Sequence, residues 1–339
     1  MEELVALSVK HNVSDLHLCS TGYACWRLGG QLAPLPCSSP PVSALLTQWL
    51  TEEQRLSFEQ AGQLDFAVSL KNGVRLRVNA FRQALGVSLA VRILPQSSPS
   101  LEALLAPAVL PQLLQQTNGL ILVCGATGSG KSTTLAAMVA HLNQYQQAHI
   151  ITLEDPVEFI HTSGNCLIQQ REVGAHCCSF AAGLKGALRE DPDVILLGEL
   201  RDAETIRLAL TAAETGHLVL ATVHTRGAAQ AVDRLVDALP AEEKNQVRAQ
   251  LAGSLKAVLA QQLVPRVNSG RIALYELLIN TPAVASLIRE GKTHQLPGQL
   301  QTGLQAGMQT FEHSRQQRRQ AGLIATGKTA EKNDNPFIH

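Results

Sequence analysis

The chain has 339 residues, 45% of them hydrophobic and 4% aromatic, and this length favours two domains over one. Its 28 Lys and Arg residues balance 28 Asp and Glu residues, so charge gives no general argument for a nucleic acid or an anionic membrane as partner. The seven scattered cysteines lack C-x-x-C spacing, and no apolar run approaches the roughly 20 residues that span a bilayer. We therefore expect a soluble, cytoplasmic protein with reduced thiols, for which any membrane association would go through a partner.

The first region, residues 1–94, alternates short strand-like and helical runs, which predicts an α+β domain with mostly antiparallel pairing. Its clearest signal is the Asn72-Gly73 turn between strand-like runs at residues 64–70 and 74–81, as in a hairpin. The other elements predicted here are strands at residues 15–18, 24–28 and 87–94 and a helix over residues 42–60.

The proline-rich residues 95–100 predict a short, semi-stiff hinge between two domains. Beyond this hinge, apolar strands alternate with helical segments, a pattern that predicts a parallel sheet covered by helices. Residues 241–290 are predicted to be mainly helical, and the polar, aperiodic tail over residues 325–339 is predicted to be disordered. The strands predicted in this region are residues 120–124, 149–153, 194–197 and 218–223.

Residues 125–132 (GATGSGKS) match the phosphate-loop pattern G-x-x-x-x-G-K-[ST], between a predicted strand and a predicted helix as that loop requires. The glycines let successive backbone N–H groups face the phosphates, and the helix adds its positive N-terminal end. Lys131 is expected to reach the outer phosphates, and Ser132 to ligate Mg²⁺. The alternative is a chance match on a glycine-rich turn, against which this context argues. The predicted nucleotide-binding residues are Gly125, Ala126, Thr127, Gly128, Ser129, Gly130, Lys131, Ser132 and Thr133.

Two acidic clusters follow predicted strands, at the sheet edge where ligands bind in open α/β folds. The apolar run 193–199 ends at Glu199, which is placed to hold Mg²⁺ or to orient the attacking water, unless it merely neighbours a helix N-cap. Glu154, Asp155 and Glu158 follow the strand at 149–153 and suit a second wall that handles Mg²⁺ and water. Acidic loops of this kind are also common as solvated turns.

Two histidines, His217 and His224, bracket the predicted strand at residues 218–223. His224 lies at its carboxyl end, where it is expected to sense a terminal phosphate, whereas a satisfied core histidine is the alternative for His217. A metal pair is not expected, because seven residues along a strand separate the two by roughly 23 Å. The cysteine spacings needed for zinc are missing as well, so no metal other than Mg²⁺ is expected.

Taken together, these motifs resemble the hexameric ATPases of type II secretion and type IV pili, and most closely their twitching-motility, or pilus-retraction, branch (PilT-like). The resemblance covers nearly the whole chain except the tail. The main segments that carry it are GATGSGKST (125–133), ITLEDPVEF (151–159), LREDPDVILLGELRD (188–202) and TAAETGHLVLATVHT (211–225). Further matching segments are SDLHL (14–18), VRLRVNAF (74–81), PAVASLIREGKTHQ (282–295) and GMQTFE (307–312).

The resemblance implies an α/β fold with a PAS-like α+β domain over residues 1–94, followed by the hinge linker. It implies a RecA-like P-loop NTPase core with a helical C-terminal part over residues 101–324, with ATP and Mg²⁺ as its ligands. It also implies a homohexamer that acts on an inner-membrane pilus or secretion platform protein, with no nucleic acid as partner.

The same resemblance implies roles for five residues. Glu158 corresponds to the general base and Glu199 to the carboxylate that positions Mg²⁺ and water. Arg77 and Arg92, and less surely Arg75, correspond to cations of the N-terminal domain that neutralise phosphate charge. Such an arginine fits the chemistry, because charge develops on the transferred phosphoryl group. Ordinary exposed strand arginines are the alternative.

Departures from the family pattern bear on the branch. The four-cysteine zinc insertion of assembly and secretion ATPases is missing, which favours the retraction branch. Against that branch, the tetrapeptide at residues 283–286 is Ala-Val-Ala-Ser where retraction enzymes carry Ala-Ile-Arg-Asn, and Leu85 replaces a common arginine. Because every matched hydrolysis residue is intact, we expect ATP hydrolysis coupled to mechanical work. The rival functions are a conjugation-type nucleic-acid translocase, an ATP-binding regulatory or assembly module without hydrolysis and, more weakly, a small-molecule kinase.

Overall fold

The computed structural model describes residues 1–11, 13–28, 31–94, 97–267 and 270–325. Contacts divide the chain into two units, the first made of residues 1–98 with the segment Pro156–Ile160, and the second of the remainder. Within the predicted linker, Pro95 and Gln96 lie outside the described residues, as does all but the first residue of the predicted tail. No helix in these described ranges is long and apolar enough to cross a membrane.

The first unit combines, within its described residues, three helices with one antiparallel sheet of six strands. Its elements are α1 (Glu2–Lys10), β1 (Val13–Cys19), β2 (Ala24–Leu28), β3 (Gln31–Pro34), α2 (Val42–Trp49), α3 (Glu52–Ala61), β4 (Gln63–Ser69), β5 (Arg75–Gln83) and β6 (Gly86–Ile93). The strand order is β3-β2-β1-β6-β5-β4, so the α+β prediction with antiparallel pairing is confirmed.

The two faces of this first sheet differ in chemistry, because successive strand residues point to opposite sides. Leu16, Val91 and Val78 are paired across β1, β6 and β5 and are fully buried, as part of the core that the helices cover. On the other face a polar row, Arg27–Asp15–Arg92–Arg77, runs in register across β2, β1, β6 and β5.

Two local predictions in this unit can be compared with the structure. The hairpin is confirmed as β4 and β5, and Gly73 in its turn has a φ of +81°, a conformation that glycine adopts without strain. The helical prediction for residues 42–60 is confirmed by α2 and α3 but fails at Leu50, where the chain is extended and α3 starts afresh. Thr51 caps α3 in a capping box with Gln54, which satisfies N–H groups at a new helix start.

The second unit is built, over its described residues, on a mixed seven-stranded sheet with core clusters on both faces. Its elements are α4 (Leu110–Leu113), β7 (Gly119–Cys124), α5 (Lys131–Tyr145), β8 (His149–Glu154), β9 (Leu167–Glu172), α6 (Phe180–Ala187), β10 (Val194–Leu197), α7 (Ala203–Glu214), β11 (Leu218–Val223), α8 (Ala228–Asp237), α9 (Lys244–Ser254), β12 (Leu255–Pro265), β13 (Arg271–Ile279), α10 (Pro282–Arg289), the 3₁₀ helix Thr293–Gln295, α11 (Leu296–Thr302), the 3₁₀ helix Gly303–Ala306 and α12 (Phe311–Gln320).

The order of this sheet is β13-β12-β7-β11-β10-β8-β9. All neighbours pair in parallel except β12 and β13, which form an antiparallel hairpin. The predicted parallel sheet is therefore confirmed for six strands and wrong for β13. The prediction that residues 241–290 are mainly helical is also wrong, because this hairpin fills the middle of that range, between α9 and α10.

Candidate functional site

Four neighbouring strands of the second unit end together at one edge of its sheet. The register pairs Leu153 of β8 with Leu197 of β10, and Leu197 with Ala221 of β11. On the other side of β11, Val223 pairs with Cys124 of β7. Because these strands are parallel, the residues that follow them meet at the same edge of the sheet. These residues are Glu154, Glu199, His224 and the phosphate loop at 125–132.

The phosphate loop connects β7 to α5 as the sequence predicts. Gly128 and Gly130 have φ values of +76° and +89°, where a side chain is strained and glycine is not. Ser132 and the loop tip at residues 126–128 are exposed, whereas Lys131 and Ser129 are buried. Among the described side chains none caps α5, so the N–H groups of its first turn remain donors for an anion.

Lys131 lies at the centre of a chain of polar contacts. Its Nζ is 2.9 Å from Gly125 O and 3.1 Å from Ala126 O, and 3.4 Å from Nδ1 of His224. On the far side of the imidazole, Nε2 of His224 lies 3.3 Å from Oε2 of Glu199. The structure therefore brings together three predicted site residues, contributed by three neighbouring strand ends.

These contacts determine the protonation of His224. Burial and the charge of Lys131 lower its pKa, and the attraction of Glu199 opposes them. In the neutral ring Nδ1 accepts a hydrogen bond from the Lys131 ammonium, while Nε2–H faces the Glu199 carboxylate. The neutral imidazole of His224 therefore lies between the buried ammonium of Lys131 and the nearly buried carboxylate of Glu199, and contacts both.

Arg201 is a site residue that the sequence analysis missed. Its Nε forms an ion pair with Oε2 of Glu199, whose side chain is only 11% exposed. Arg201 itself is largely exposed, and it follows Glu199 by two residues in the loop before α7. An available signal was this spacing, because a cation two residues from a buried acid can fold back onto it. Glu199 therefore contacts the guanidinium of Arg201 as well as the neutral imidazole of His224.

The acidic segment after β8 divides between the two units. Oε1 of Glu154 accepts from Oγ1 of Thr152 at 2.7 Å, and Asp155 is exposed. The segment Pro156–Ile160 belongs to the first unit, in which Nε of Arg75 donates to Val157 O at 2.9 Å. Glu158 is half-buried in that segment, between the buried side chains of Val157 and Phe159.

Three other predicted residues have contacts of their own, each within its own unit. His217 is at the opposite end of β11 from His224, and its Nδ1 is 3.0 Å from Ala212 O, a local contact that suits a structural role. Arg77 and Arg92 are neighbours on the first sheet, and Nε of Arg92 pairs with Asp15 Oδ1 at 2.9 Å.

Two residues of the β12–β13 hairpin form hydrogen bonds with segments at this edge of the sheet. The sequence analysis missed them because it predicted helix in this region. Gln261 of β12 is 2% exposed and hydrogen-bonds the phosphate loop through Ser129 O, with an Nε2–O distance of 2.7 Å. Oε1 of Glu276 on β13 accepts from Ala228 N at 3.0 Å, at the start of α8. Burial raises the pKa of Glu276, and the hydrogen bond from Ala228 opposes that shift.

The oxygen donors of this edge fit a magnesium ion. Mg²⁺ is held in proteins by one or two carboxylates or hydroxyls together with substrate phosphates. Ser132 offers an exposed hydroxyl in the first turn of α5, and Glu199 offers a carboxylate at a neighbouring strand end. The donor set is therefore hard and oxygen-based, as that ion requires.

Comparison with known proteins gives consistent matches. The family model described as Type II/IV secretion system protein matches residues 45–326. Over 318 residues the chain is 67% identical to the uncharacterized protein YggR of Escherichia coli K12, with 94% of this chain and 98% of that protein covered. It is 45% identical over 334 residues to the type IV pilus retractation ATPase PilT of Pseudomonas aeruginosa PAO1, covering 98% and 96% of the two chains. The crystal structure of the pilus retraction motor PilT with bound ADP has a TM-score of 0.88 at 38% identity, covering 98% and 97%.

Proposed function

Because the chain belongs to the Type II/IV secretion system protein family and is therefore an ATPase, we propose that it is a filament motor that drives pilus retraction or twitching-type filament dynamics. It works as a homohexamer, peripheral to the inner membrane, and acts on a platform protein there. The contact chain Lys131–His224–Glu199 carries the proposal, because it links a phosphate loop to a buried carboxylate. The likeness to a retraction ATPase over nearly the whole chain supports retraction as the direction of work.

The residues of the second unit divide the work of hydrolysis. Backbone N–H groups of residues 125–133 and the Lys131 ammonium hold the phosphates. Ser132 and Glu199 would hold Mg²⁺, which would supply positive charge against the negative charge that develops on the phosphoryl group. His224 changes partners with the state of the terminal phosphate, because its imidazole contacts both Lys131 and Glu199.

The acidic segment after β8 and two arginines of the first unit complete the proposal. Glu158 acts as the general base that takes a proton from water, and Arg77 and Arg92 neutralise phosphate charge. Glu154 and Asp155 form the acidic wall that precedes Glu158 in the chain. The hydrogen bond from Arg75 to Val157 supports the base assignment, because it restrains the backbone next to Glu158.

We assign the domains on the same basis. The antiparallel sheet with helices on one face supports a PAS-like domain over residues 1–94. The parallel strands with a phosphate loop after β7 support a RecA-like core over residues 101–324.

Turnover with magnesium and ATP tests the proposal at the level of single residues. Lys131→Ala should abolish ATP hydrolysis, whereas Lys185→Ala, which removes only a surface ion pair with Glu204, should leave it unchanged. Glu158→Gln should bind ATP without turning it over. Loss of ATP binding in Glu158→Gln would contradict its role as base, and turnover by Lys131→Ala would overturn the site.

Assembly and direction need separate measurements. Light scattering of the purified chain with magnesium nucleotide should give the mass of six copies, and a monomer would contradict the ring. Activity stimulated by DNA would instead favour the translocase, and ATP binding by the wild type without turnover would favour the regulatory module. In a host whose own retraction ATPase is deleted, the wild-type chain should restore filament retraction where Lys131→Ala fails.

A further inference from the structure

The side chain of Gln261 connects the phosphate loop to the helix that follows it. Its Nε2 donates to Ser129 O at 2.7 Å, and its Oε1 accepts from Oγ1 of Thr134 at 2.6 Å. Ser129 lies in the loop, and Thr134 lies near the start of α5. One buried amide therefore uses both of its ends, as donor and as acceptor, on the segment that carries Lys131.

Gln261 also accounts for two of the loop glycines by close approach. A Cβ atom on Gly130 would lie 2.8 Å from Nε2 of Gln261, and one on Gly125 would lie 2.5 Å from Gln261 O. At Gly128, by contrast, an added Cβ would meet no atom within 4 Å. The loop is thus packed tightly against this residue of β12: a Cβ on Gly125 would overlap its backbone, and one on Gly130 would displace its side-chain amide.

The surroundings make these hydrogen bonds hard to replace. Tyr275 pairs with Gln261 across the hairpin, and it is completely buried. Burial raises the pKa of Tyr275, while the neighbouring Thr134 hydroxyl and the charge of Arg318 lower it. Both the hydroxyl of Thr134 and the amide of Gln261 therefore lie in a dry polar cluster, where a lost partner is not replaced by water.

We propose that Gln261 is a positioning residue for nucleotide binding, which holds the phosphate loop in the shape that its N–H groups and Lys131 need. Its amide does this by fixing Ser129 and Thr134 relative to each other. The inference rests on the proposed nucleotide site at residues 125–133. It goes beyond that site because Gln261 lies outside residues 125–133 and contacts the loop and α5 through Ser129 and Thr134.

Nucleotide binding to the full chain tests the inference, with fluorescent ADP as the probe. Gln261→Met keeps an unbranched side chain of similar length but removes both hydrogen bonds, and it should raise the Kd for ADP about tenfold. The KM for ATP should rise with it, whereas kcat should change less than about threefold. The matched control is Gln262→Met, whose side chain points to the other face of the sheet and should leave the Kd unchanged.

Substitutions at Thr134 separate positioning from folding, and decide the matter if Gln261→Met does not fold. Thr134→Val removes the donor to Gln261 at constant shape and should weaken ADP binding at least threefold, whereas Thr134→Ser keeps the hydroxyl and should bind like the wild type. In the double variant, Thr134→Val should weaken ADP binding little beyond the effect of Gln261→Met, because both substitutions break the same hydrogen-bonded unit. Wild-type affinity in both Gln261→Met and Thr134→Val would overturn this inference alone. A wild-type chain that binds no ADP would overturn the proposed function as well.

Discussion

Replacing Gly125 by alanine should destabilise the second unit more than the same change at Gly128. Both glycines have a positive φ, +158° and +76°, and such a conformation costs another residue about 1–3 kcal/mol. At Gly125 the new Cβ would also lie 2.5 Å from the backbone oxygen of Gln261, and it would contact Oγ of Ser129. A backbone atom of a sheet strand cannot swing aside, so this overlap adds about 1–3 kcal/mol. Gly128→Ala has space around its Cβ and lacks the second cost.

Scanning calorimetry should therefore show Gly125→Ala melting roughly 2–12 °C below Gly128→Ala, since about 1 kcal/mol shifts the melting temperature of such a domain by about 2–4 °C. Tryptophan fluorescence is the wrong probe, because Trp26 and Trp49 both lie in the first unit. Hydrogen exchange in β7 and β12 identifies the transition of the second unit. If Gly125→Ala melts with Gly128→Ala or above it, the argument from close approach is refuted.

Three further predictions concern charge and contact. His224→Asn should flatten the acid side of the kcat–pH profile, because wild-type His224, whose pKa is lowered, gains a charge beside Lys131 only below pH 6.5. Glu276→Gln keeps the hydrogen-bond acceptor but loses the buried charge. Because the pKa of Glu276 is raised in the folded protein, the stability of the wild type should fall as the pH rises through that pKa. Calorimetry should therefore show the variant melting higher than the wild type near neutral pH, and at the same temperature below pH 4.5. Arg75→Ala should speed amide exchange in the segment Pro156–Ile160, whereas Arg75→Lys should restore part of the protection.

The strand ends that form the candidate site could be predicted because local signals agree there. β7 and β11 are each six residues long and buried throughout, so each appears in the sequence as a short continuous apolar run. A glycine-rich motif or a histidine marks the point where each run ends. Since these strands are parallel neighbours, predicting the strands was enough to place the residues after them together.

The β12–β13 hairpin could not be predicted in this way. Residues 255–260 of β12 are almost all apolar and buried, and such a run looks the same whether it forms a buried strand or a buried helix. α9 and α10, which flank the hairpin in the chain, are true helices and extend the helical pattern on both sides. The contributions of Gln261 and Glu276 were missed for this reason, since neither has a role in a helical segment there.

The sequence contains a signal for the break between α2 and α3, but the prediction followed the helical spacing of the apolar residues instead. Thr51 and Gln54 have the spacing of a capping box, which predicts a helix start at that point. The apolar residues on either side keep helical spacing through the break, because both helices cover the same core. A capping signal within a long amphipathic run is therefore better taken as a boundary.

The hydrogen bonds of the Lys131 ammonium link the phosphate loop to the carboxylate of Glu199 through His224. An ammonium group has three protons, and Lys131 has three acceptors within reach: Gly125 O, Ala126 O and Nδ1 of His224. A phosphate oxygen that accepts one of these protons would compete with these acceptors. Of these three acceptors, only Nδ1 belongs to a ring with a second nitrogen, and that atom, Nε2 of His224, faces Glu199. Displacing His224 therefore lets its ring tautomerise or turn, which changes the donor that Glu199 faces. We therefore expect phosphate bound at Lys131 to change the donor that Glu199 faces, without a movement of either strand.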